Sequence, residues 1–399
     1  MATENMIKQS LSQFTVDFYD KIIAKQGDSL SNAFVSPLSI YTAMVMTMAG
    51  ADGKTKTEIE NTLRIPKQLL ATCPHQPIGT TLQTFFKPSE GVQLSLANRL
   101  FVVQPATIVE QFKQILTKDY NASIEQVCYN TCLQHHFQIS SLPNDEAKRE
   151  HINKWTSEHT GQKITELLPN GAVNANTVLA LVNALYFKGM WKNQFNKQRT
   201  SHGDFTCFGG KKMDVMMMHM KAHFPYEELT DWSAQAVRLP FKGTDWQMLI
   251  ILPWDASGLP EVLSHLLKPG ALEDLLKKPF HEIELDLFLP KFKLSQCEPV
   301  NAKALLQQCG INSIFNPNEA DLTKLCSSRK LFVSDVFHKA ILEVDEEGAT
   351  AAAATAVMMN MRCAMMSPIV RVDRPFFVAL TCASTVPVFI GHVTHPESN

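Results

Sequence analysis

The chain has 399 residues, 45% hydrophobic and 19% charged, so it is long enough to bury a sizeable core and is not a disordered chain. A net charge of −2, with acids and bases mixed along the sequence, offers no electrostatic footprint for nucleic acid or an anionic membrane, and no run approaches the roughly 18 apolar residues of a spanning helix. Nine cysteines, scattered and odd in number, make no disulfide framework and, beside 17 methionines, suit a reducing compartment.

Leu11, Phe14, Phe18 and Ile22 recur at helical spacing and predict an amphipathic opening helix. In "SPLSIYTAMVMTMAGADG", Ser36 can accept from the free amides of a second helix while Pro37 takes the first helical position, where no N–H is needed; Gly50 marks its end. Residues near 145–160, with Ile152 and Trp155 on one side, predict a surface helix. Later segments favour strands: "VQLSLANRLFVV" from Val92, "TVLALVNALYFKG" from Thr177, "QMLIILPW" from Gln247, and "HEIELDLFLPKF", where Ile283, Leu285, Leu287 and Leu289 alternate with polar residues. "PFFVALTCASTVPVFIGHV" adds two more. Helices early and strands late, without strict βαβ alternation, predict an α+β class with large, mostly antiparallel sheets. No linker composition interrupts the chain, so one domain over residues 1–399 is expected.

Familiar chemistries are weak here. "GADGKT" at 50–55 lacks the first glycine of a phosphate loop, because Met48 stands at that position, and it fits a helix end followed by a polar turn. Cys132, His135 and His136 could ligate zinc, but no second Cys/His pair completes a tetrahedral set. Neither a nucleophile elbow nor HExxH is present, and no metal or cofactor is expected.

The unusual segment is "VDEEGATAAAATAVMMNMRCAMMSP" from Val344, in which Arg362 is the only charged side chain between Gly348 and Val370. Alanine favours helix, yet the stretch lacks the large apolar stripe that would hold a helix to a core. It fits a segment with two states, an exposed loop and a strand inserted between other strands. Counting by twos from Ala349 gives Ala351, Ala353, Thr355, Val357, Met359 and Met361, all uncharged and the first three small, with no proline until Pro368.

That stretch resembles the hinge and reactive-centre loop of the serpins, the trapping inhibitors of serine proteases. "FVSPLSIYTAMVMTMAGADGKT", "NALYFKGMW", "FHKAILEVDEEG", "DRPFFVAL" and "FIGHV" are similar to further serpin motifs, in the family's order, so the likeness covers nearly the whole chain. It implies about nine helices around three mainly antiparallel sheets, with a five-stranded central sheet that opens to admit the loop at about 346–370. The hinge would comprise Glu346, Glu347, Gly348, Ala349, Thr350, Ala351, Ala352, Ala353, Ala354 and Thr355. The family's count of seventeen residues from its hinge glutamate, here Glu346, ends on Arg362 and implies a reactive bond Arg362–Cys363. The bait then suits trypsin-like proteases, whose pocket carboxylate takes a guanidinium bidentately.

The resemblance also implies a Glu346–Lys291 pair at the top of the sheet, Trp191 at the breach where the loop enters, and a polar cluster of Ser36, Asn183 and His338 at the centre, where strands part. Ala349 and Thr350 depart from the commoner threonine and glutamate but stay small and uncharged. Residues 75–91 carry a single lysine, so heparin activation is not expected. Cys363 reads either as a small residue fitting the protease or as a redox-sensitive position. The expected protein is a monomeric inhibitor rather than an enzyme, its partner a protease held covalently. The rival reading is a non-inhibitory serpin acting as chaperone, store or carrier. The start, which lacks a basic and apolar leader, resembles the intracellular ovalbumin-like branch and gives a cytoplasmic expectation. The alternative is secretion, by a trimmed leader or an unconventional route, and the Asn121-Ala-Ser123 sequon points that way.

Overall fold

Ser36 starts a helix in the way its chemistry predicts: its side chain accepts from the Ser39 N–H at 3.3 Å and Pro37 follows as the first helical residue. This is seen in a computed structural model that describes residues 2–85, 87, 90–103, 106–128, 139–142, 144–294, 300–347, 367–382 and 386–397. The helices are α1 (Ala2–Gln26), α2 (Pro37–Met48), α3 (Gly53–Thr62), α4 (Lys67–Leu70), α5 (His75–Phe85), α6 (Glu110–Tyr120), α7 (Asp145–His159), α8 (Leu259–Leu266), α9 (Ala271–Lys277) and α10 (Ala302–Gln308). All twelve residues of α2 are buried, as an all-round apolar helix requires. In α1 the predicted stripe Leu11, Phe14, Phe18 and Ile22 faces the core. The "GADGKT" turn leads into α3, whose first amide bonds Asp52 Oδ1 at 3.0 Å; only Thr55 and Ile59 of that helix are buried, so no apolar period announces it.

The strands are β1 (Ala33–Val35), β2 (Val92–Val102), β3 (Ser123–Cys128), β4 (Ile139–Ser141), β5 (Leu179–Gly189), β6 (Ser201–Thr206), β7 (Lys212–Leu229), β8 (Ala234–Pro240), β9 (Trp246–Pro253), β10 (His281–Pro290), β11 (Phe292–Leu294), β12 (Val300–Asn301), β13 (Val333–Val344), β14 (Ile369–Arg371), β15 (Phe376–Cys382) and β16 (Val386–Val393). Among the described residues they join into two hydrogen-bonded sheets rather than three. One has nine strands in the order β1-β16-β15-β9-β8-β7-β10-β14, with β6 on β7; the other has seven, β11-β13-β5-β2-β3-β4, with β12 on β13. The merger has a simple cause. The 18-residue β7 pairs with β6 and β10 along most of its length and with β8 over Tyr226–Leu229, so one strand belongs to two sheet segments.

The α+β class holds, and among the described residues ten helices stand where about nine were expected. The nine-stranded sheet is antiparallel apart from β10–β14. The seven-stranded sheet is mixed, because β13–β5, β2–β3 and β3–β4 are parallel. The α6 crossover between β2 and β3 makes one local βαβ unit.

Strand β5 is buried on both faces. Leu179, Leu181, Leu185 and Phe187 join the main core, while Ala180, Val182, Ala184 and Tyr186 join a second cluster with Ile152 and Trp155 of α7. Asn183 sits on the main-core alternation of this strand.

One close approach positions the second helix. A Cβ on Gly391 of β16 would lie 2.1 Å from the Ala33 carbonyl oxygen of β1, so only glycine lets β1 pack this tightly just before Ser36. Gly391→Ala should lower stability by about 1–3 kcal/mol through overpacking, read as a reduced urea midpoint; an unchanged midpoint would mean that β1 can shift freely.

Candidate functional site

The polar residues that sequence placed at the centre of the sheet do meet. Asn183 of β5 and His338 of β13 are register neighbours across a parallel strand pair, and the His338 Nδ1–H donates to Asn183 Oδ1. His338 Nε2 accepts from the Ser36 N–H at 3.0 Å, and Ser36 Oγ donates to the Val388 carbonyl at 2.7 Å. All three residues are fully buried. The cluster also contains two members that sequence reading missed. Asn183 Nδ2 donates to the Ser39 carbonyl at 2.9 Å and to Asn98 Oδ1 at 2.6 Å, and Ser39 Oγ donates to Asn98 Oδ1 at 3.2 Å. The available signal was an isolated Asn inside the apolar run "LSLANRLF".

His338 holds α2, β5 and β13 in one network because its two ring nitrogens play opposite parts. Burial pushes its pKa down to about 3. Protonation would place a second donor against the Ser36 N–H.

The top of the same strands carries a second constellation. Glu346 leaves β13 with its carboxylate buried, accepting from Lys291 Nζ at 3.1 Å and Thr200 Oγ1 at 2.9 Å, while its carbonyl accepts from the Phe195 N–H at 3.0 Å. Burial raises the carboxyl pKa, but hydrogen bonds from its own backbone N–H, Lys291 and Thr200 outweigh it and hold the group below the usual range. Trp191 Nε1–H donates to the Asp345 carbonyl at 2.9 Å, and its ring stacks on Phe241 with centroids 4.7 Å apart.

Each acid of this stretch has a cation. Lys293 reaches Glu343 at 3.1 Å, Lys188 of β5 reaches Asp345 at 3.3 Å, and Lys197 bonds Glu347. Tyr186 of β5 adds a hydroxyl donor to Glu343 at 3.0 Å. Thr200, Tyr186 and these lysines lie far from the hinge in sequence and bear no motif, so reading missed them.

Thus Glu346, Glu347, Lys291, Trp191, Ser36, Asn183 and His338 gather along the β5–β13 seam. Gly348 to Thr355, Arg362 and Cys363 lie outside the described residues, as do Cys132, His135 and His136. The chain resumes in the other sheet, where Ser367 Oγ donates to Glu284 at 2.7 Å and β14 pairs with β10. The described chain before Gly348 and after Met366 therefore belongs to different sheets. This arrangement offers no reacting group; it latches two parallel strands together.

A pH test isolates the central latch. The folded His338 pKa lies below the unfolded value of about 6.5, so its stabilisation is complete above that pH and is lost as pH falls through it toward about 3. His338→Gln cannot titrate. The stability gap between parent and variant should shrink by up to about 1.4 kcal/mol per pH unit below pH 6.5, while His75 and His392, both pushed down to about 4 by burial, cancel in the difference. Urea midpoints at pH 7.5 and 5 decide it, and a constant gap would place the acid sensitivity elsewhere.

Comparison with known proteins identifies the family of the chain. The family model "Serpin (serine protease inhibitor)" matches residues 9–396. The chain is 33% identical to Iris of Ixodes ricinus over 98% of this chain and 99% of that one, and 32% identical to the leukocyte elastase inhibitor of Xenopus laevis over the same shares. The crystal structure of uncleaved ovalbumin superposes with a TM-score of 0.82 at 25% identity, covering 98% of this chain and all of that one. A parallel strand pair closed by side-chain latches, at the root of an alanine-rich stretch, is thus set in a match that runs almost end to end: this chain is a member of the serpins, the serine protease inhibitor family.

Proposed function

We propose that this serpin is a suicide substrate for trypsin-like serine proteases, cleaved at Arg362–Cys363 and trapping the enzyme by inserting its loop between β5 and β13. The observation that carries the reading is that β5 and β13 run parallel as direct neighbours and that the chain leaves β13 at the head of their seam. A strand folding back from β13 runs antiparallel to both. Its entry would replace one parallel interface with two antiparallel ones, whose hydrogen bonds are slightly more stable per residue. A dozen or so new ladder bonds at roughly 0.5–1.5 kcal/mol each supply on the order of 10 kcal/mol. The native state is then held by a barrier.

The chemistry belongs to the protease. Its serine oxygen attacks the Arg362 carbonyl carbon, the Cys363 nitrogen leaves with a proton, and an ester joins the two proteins. The freed loop enters the sheet, carries the protease along and distorts its active site before water can hydrolyse the ester. Entry requires the Asn183–His338 bond to part and the Glu346–Lys291 pair to reorganise, which gives both latches their role. Trp191 fixes Asp345 where the loop would turn in.

Specificity rests on one side chain. The Xenopus relative is named as an inhibitor of elastase, whose pocket is small, whereas Arg362 suits a pocket ending in a carboxylate. Arg362→Ala should abolish inhibition of trypsin without changing the urea midpoint. With the parent, an SDS-resistant complex should form, and mass spectrometry should find a released peptide beginning at Cys363. Any other first residue rejects the bond assignment, and simple cutting without a complex rejects trapping altogether.

The hinge gives an independent test. Ala349 is the first residue on the inward alternation, so Ala349→Arg would force an unpaired charge into a dry slot at a cost of several kcal/mol. Each roughly 1.4 kcal/mol added to the insertion barrier shifts the race tenfold toward hydrolysis of the ester. The variant should turn over as a substrate at the same bond with little complex. Trapping equal to the parent's would mean that this run does not insert.

A further inference from the structure

A cavity of about 410 Å³ opens where the end of α2 meets the starts of α5 and α6, with Thr323 and Lys324 also in its wall. Both helices bring unclaimed amides to it. Helix α6 has no side-chain cap, and its first helical bond runs from the Lys113 N–H to the Val109 carbonyl, so the amides of Glu110, Gln111 and Phe112 have no partner within the helix. In α5 the first such bond runs from the Ile78 N–H to the Pro74 carbonyl, which leaves the His75 amide in the same position. Such starts are the positive ends of helix dipoles and favour anions.

The rest of the wall suits the same kind of ligand. Lys56 and Lys324 line the cavity, and no Asp or Glu is among the described lining residues. The acids that pair with these lysines, Glu60 at 3.5 Å and Asp52 at 3.1 Å, stand outside it. His75 is an independent pointer, since it is only 7% exposed and lines the cavity with one ring nitrogen to spare. Its Nδ1 bonds the Tyr120 hydroxyl at 2.8 Å, whereas Nε2 has no partner among the described residues and is not sealed from solvent. Burial pulls the His75 pKa down to about 4 and raises that of Tyr120, so both are neutral at pH 7. With Nδ1 accepting from the phenol, Nε2 carries the ring proton and is a donor. Cys73 stands on the same wall, two residues before this histidine, and is the one exposed thiol among the described cysteine side chains. A thiol beside a donor-rich, acid-free cavity matches a small disulfide that carries carboxylates. We infer that Cys73 forms a mixed disulfide with glutathione, whose carboxylates are held by Lys56, Lys324, His75 Nε2 and the free amides at the head of α6.

The oxidant is glutathione disulfide. Cys73 gives up its proton and its sulfur attacks one sulfur of that reagent; the new S–S bond forms, the old one breaks, and the departing glutathione thiolate takes up a proton. The test uses no protease and so stands apart from the trapping mechanism. Full-length protein is incubated with glutathione disulfide or with the uncharged bis(2-hydroxyethyl) disulfide, and the rate at Cys73 is followed by peptide mass spectrometry, in the folded chain and in urea. The ratio of the two rates should be at least about tenfold higher in the folded chain, because only the assembled cavity holds the carboxylates. Gln111→Glu, an exposed change in the first turn of α6 where an acid favours the helix, should cut the glutathione rate about tenfold and leave the uncharged reagent's rate as it was. His75→Phe should lower the glutathione rate in the same selective way; Gln111→Glu decides alone if that variant fails to fold. The assignment is overturned if Cys73 stays unmodified, if the folded and unfolded ratios agree, or if either folded variant reacts with glutathione disulfide as the parent does.

Discussion

The rest of the molecule is organised around a parallel pairing, that of β5 with β13, in register from Asp335 opposite Ala180 to Leu342 opposite Phe187, with a bulge between Val333 and Asp335 at its start. A parallel pair cannot be closed by a hairpin, so its two strands come from distant parts of the chain and their contact is paid for by long-range packing. Burial of β5 on both faces provides that packing. The main core grips one set of its side chains and the α7 cluster grips the other. Separation of the seam must therefore slide packed layers past one another, which gives a barrier without any covalent lock.

The two latches along the seam differ in physical kind. The Glu346–Lys291 pair is partly solvated, with the Lys291 side chain 32% exposed, so its Coulombic share belongs with surface pairs worth about 0–1 kcal/mol. Its larger effect is positional, since Thr200, Phe195 and Lys291 together hold the chain at the mouth of the seam. The central latch is neutral and fully buried. Separating Asn183 from His338 without a replacement partner leaves unsatisfied polar groups, costing about 1–3 kcal/mol each. The centre thus contributes more resistance to opening, while the top fixes where opening begins.

What could be read from the sequence follows how local the physics is. Ser36 with Pro37 announces α2, and the α1 stripe and the β10 alternation announce their elements, because capping and periodicity act within a few residues. Helix α3 escaped because Thr55 and Ile59 alone are buried in it. The merging of sheet segments through β7 also escaped, since it depends on partners rather than on composition. The Ser36–Asn183–His338 cluster and the Glu346–Lys291 pair came from family resemblance alone; their members are 55 to 302 residues apart, and no spacing rule joins them. Asn98 and Thr200 complete those same clusters and went unnoticed because a single polar residue carries no period.

On the proposed mechanism, the seam would also explain why a loop can combine a charged bait with an otherwise uncharged inserting face. In the proposed trapped state the loop descends antiparallel to β13, which spans Val333–Val344. Pairing Ala349 with Val344 places Asn360 opposite Val333, at the far end of the strand. Arg362 then falls just beyond the sheet. Every side chain required to enter the dry slot is uncharged, and the guanidinium, whose burial without a partner would cost several kcal/mol, stays at the rim, where the Arg362 carbonyl carbon carries the ester to the protease. Strand length and bait position are thus one constraint. A loop shortened by two or three residues would draw the arginine into the slot, and one lengthened would leave the protease on a slack tether with its active site undistorted.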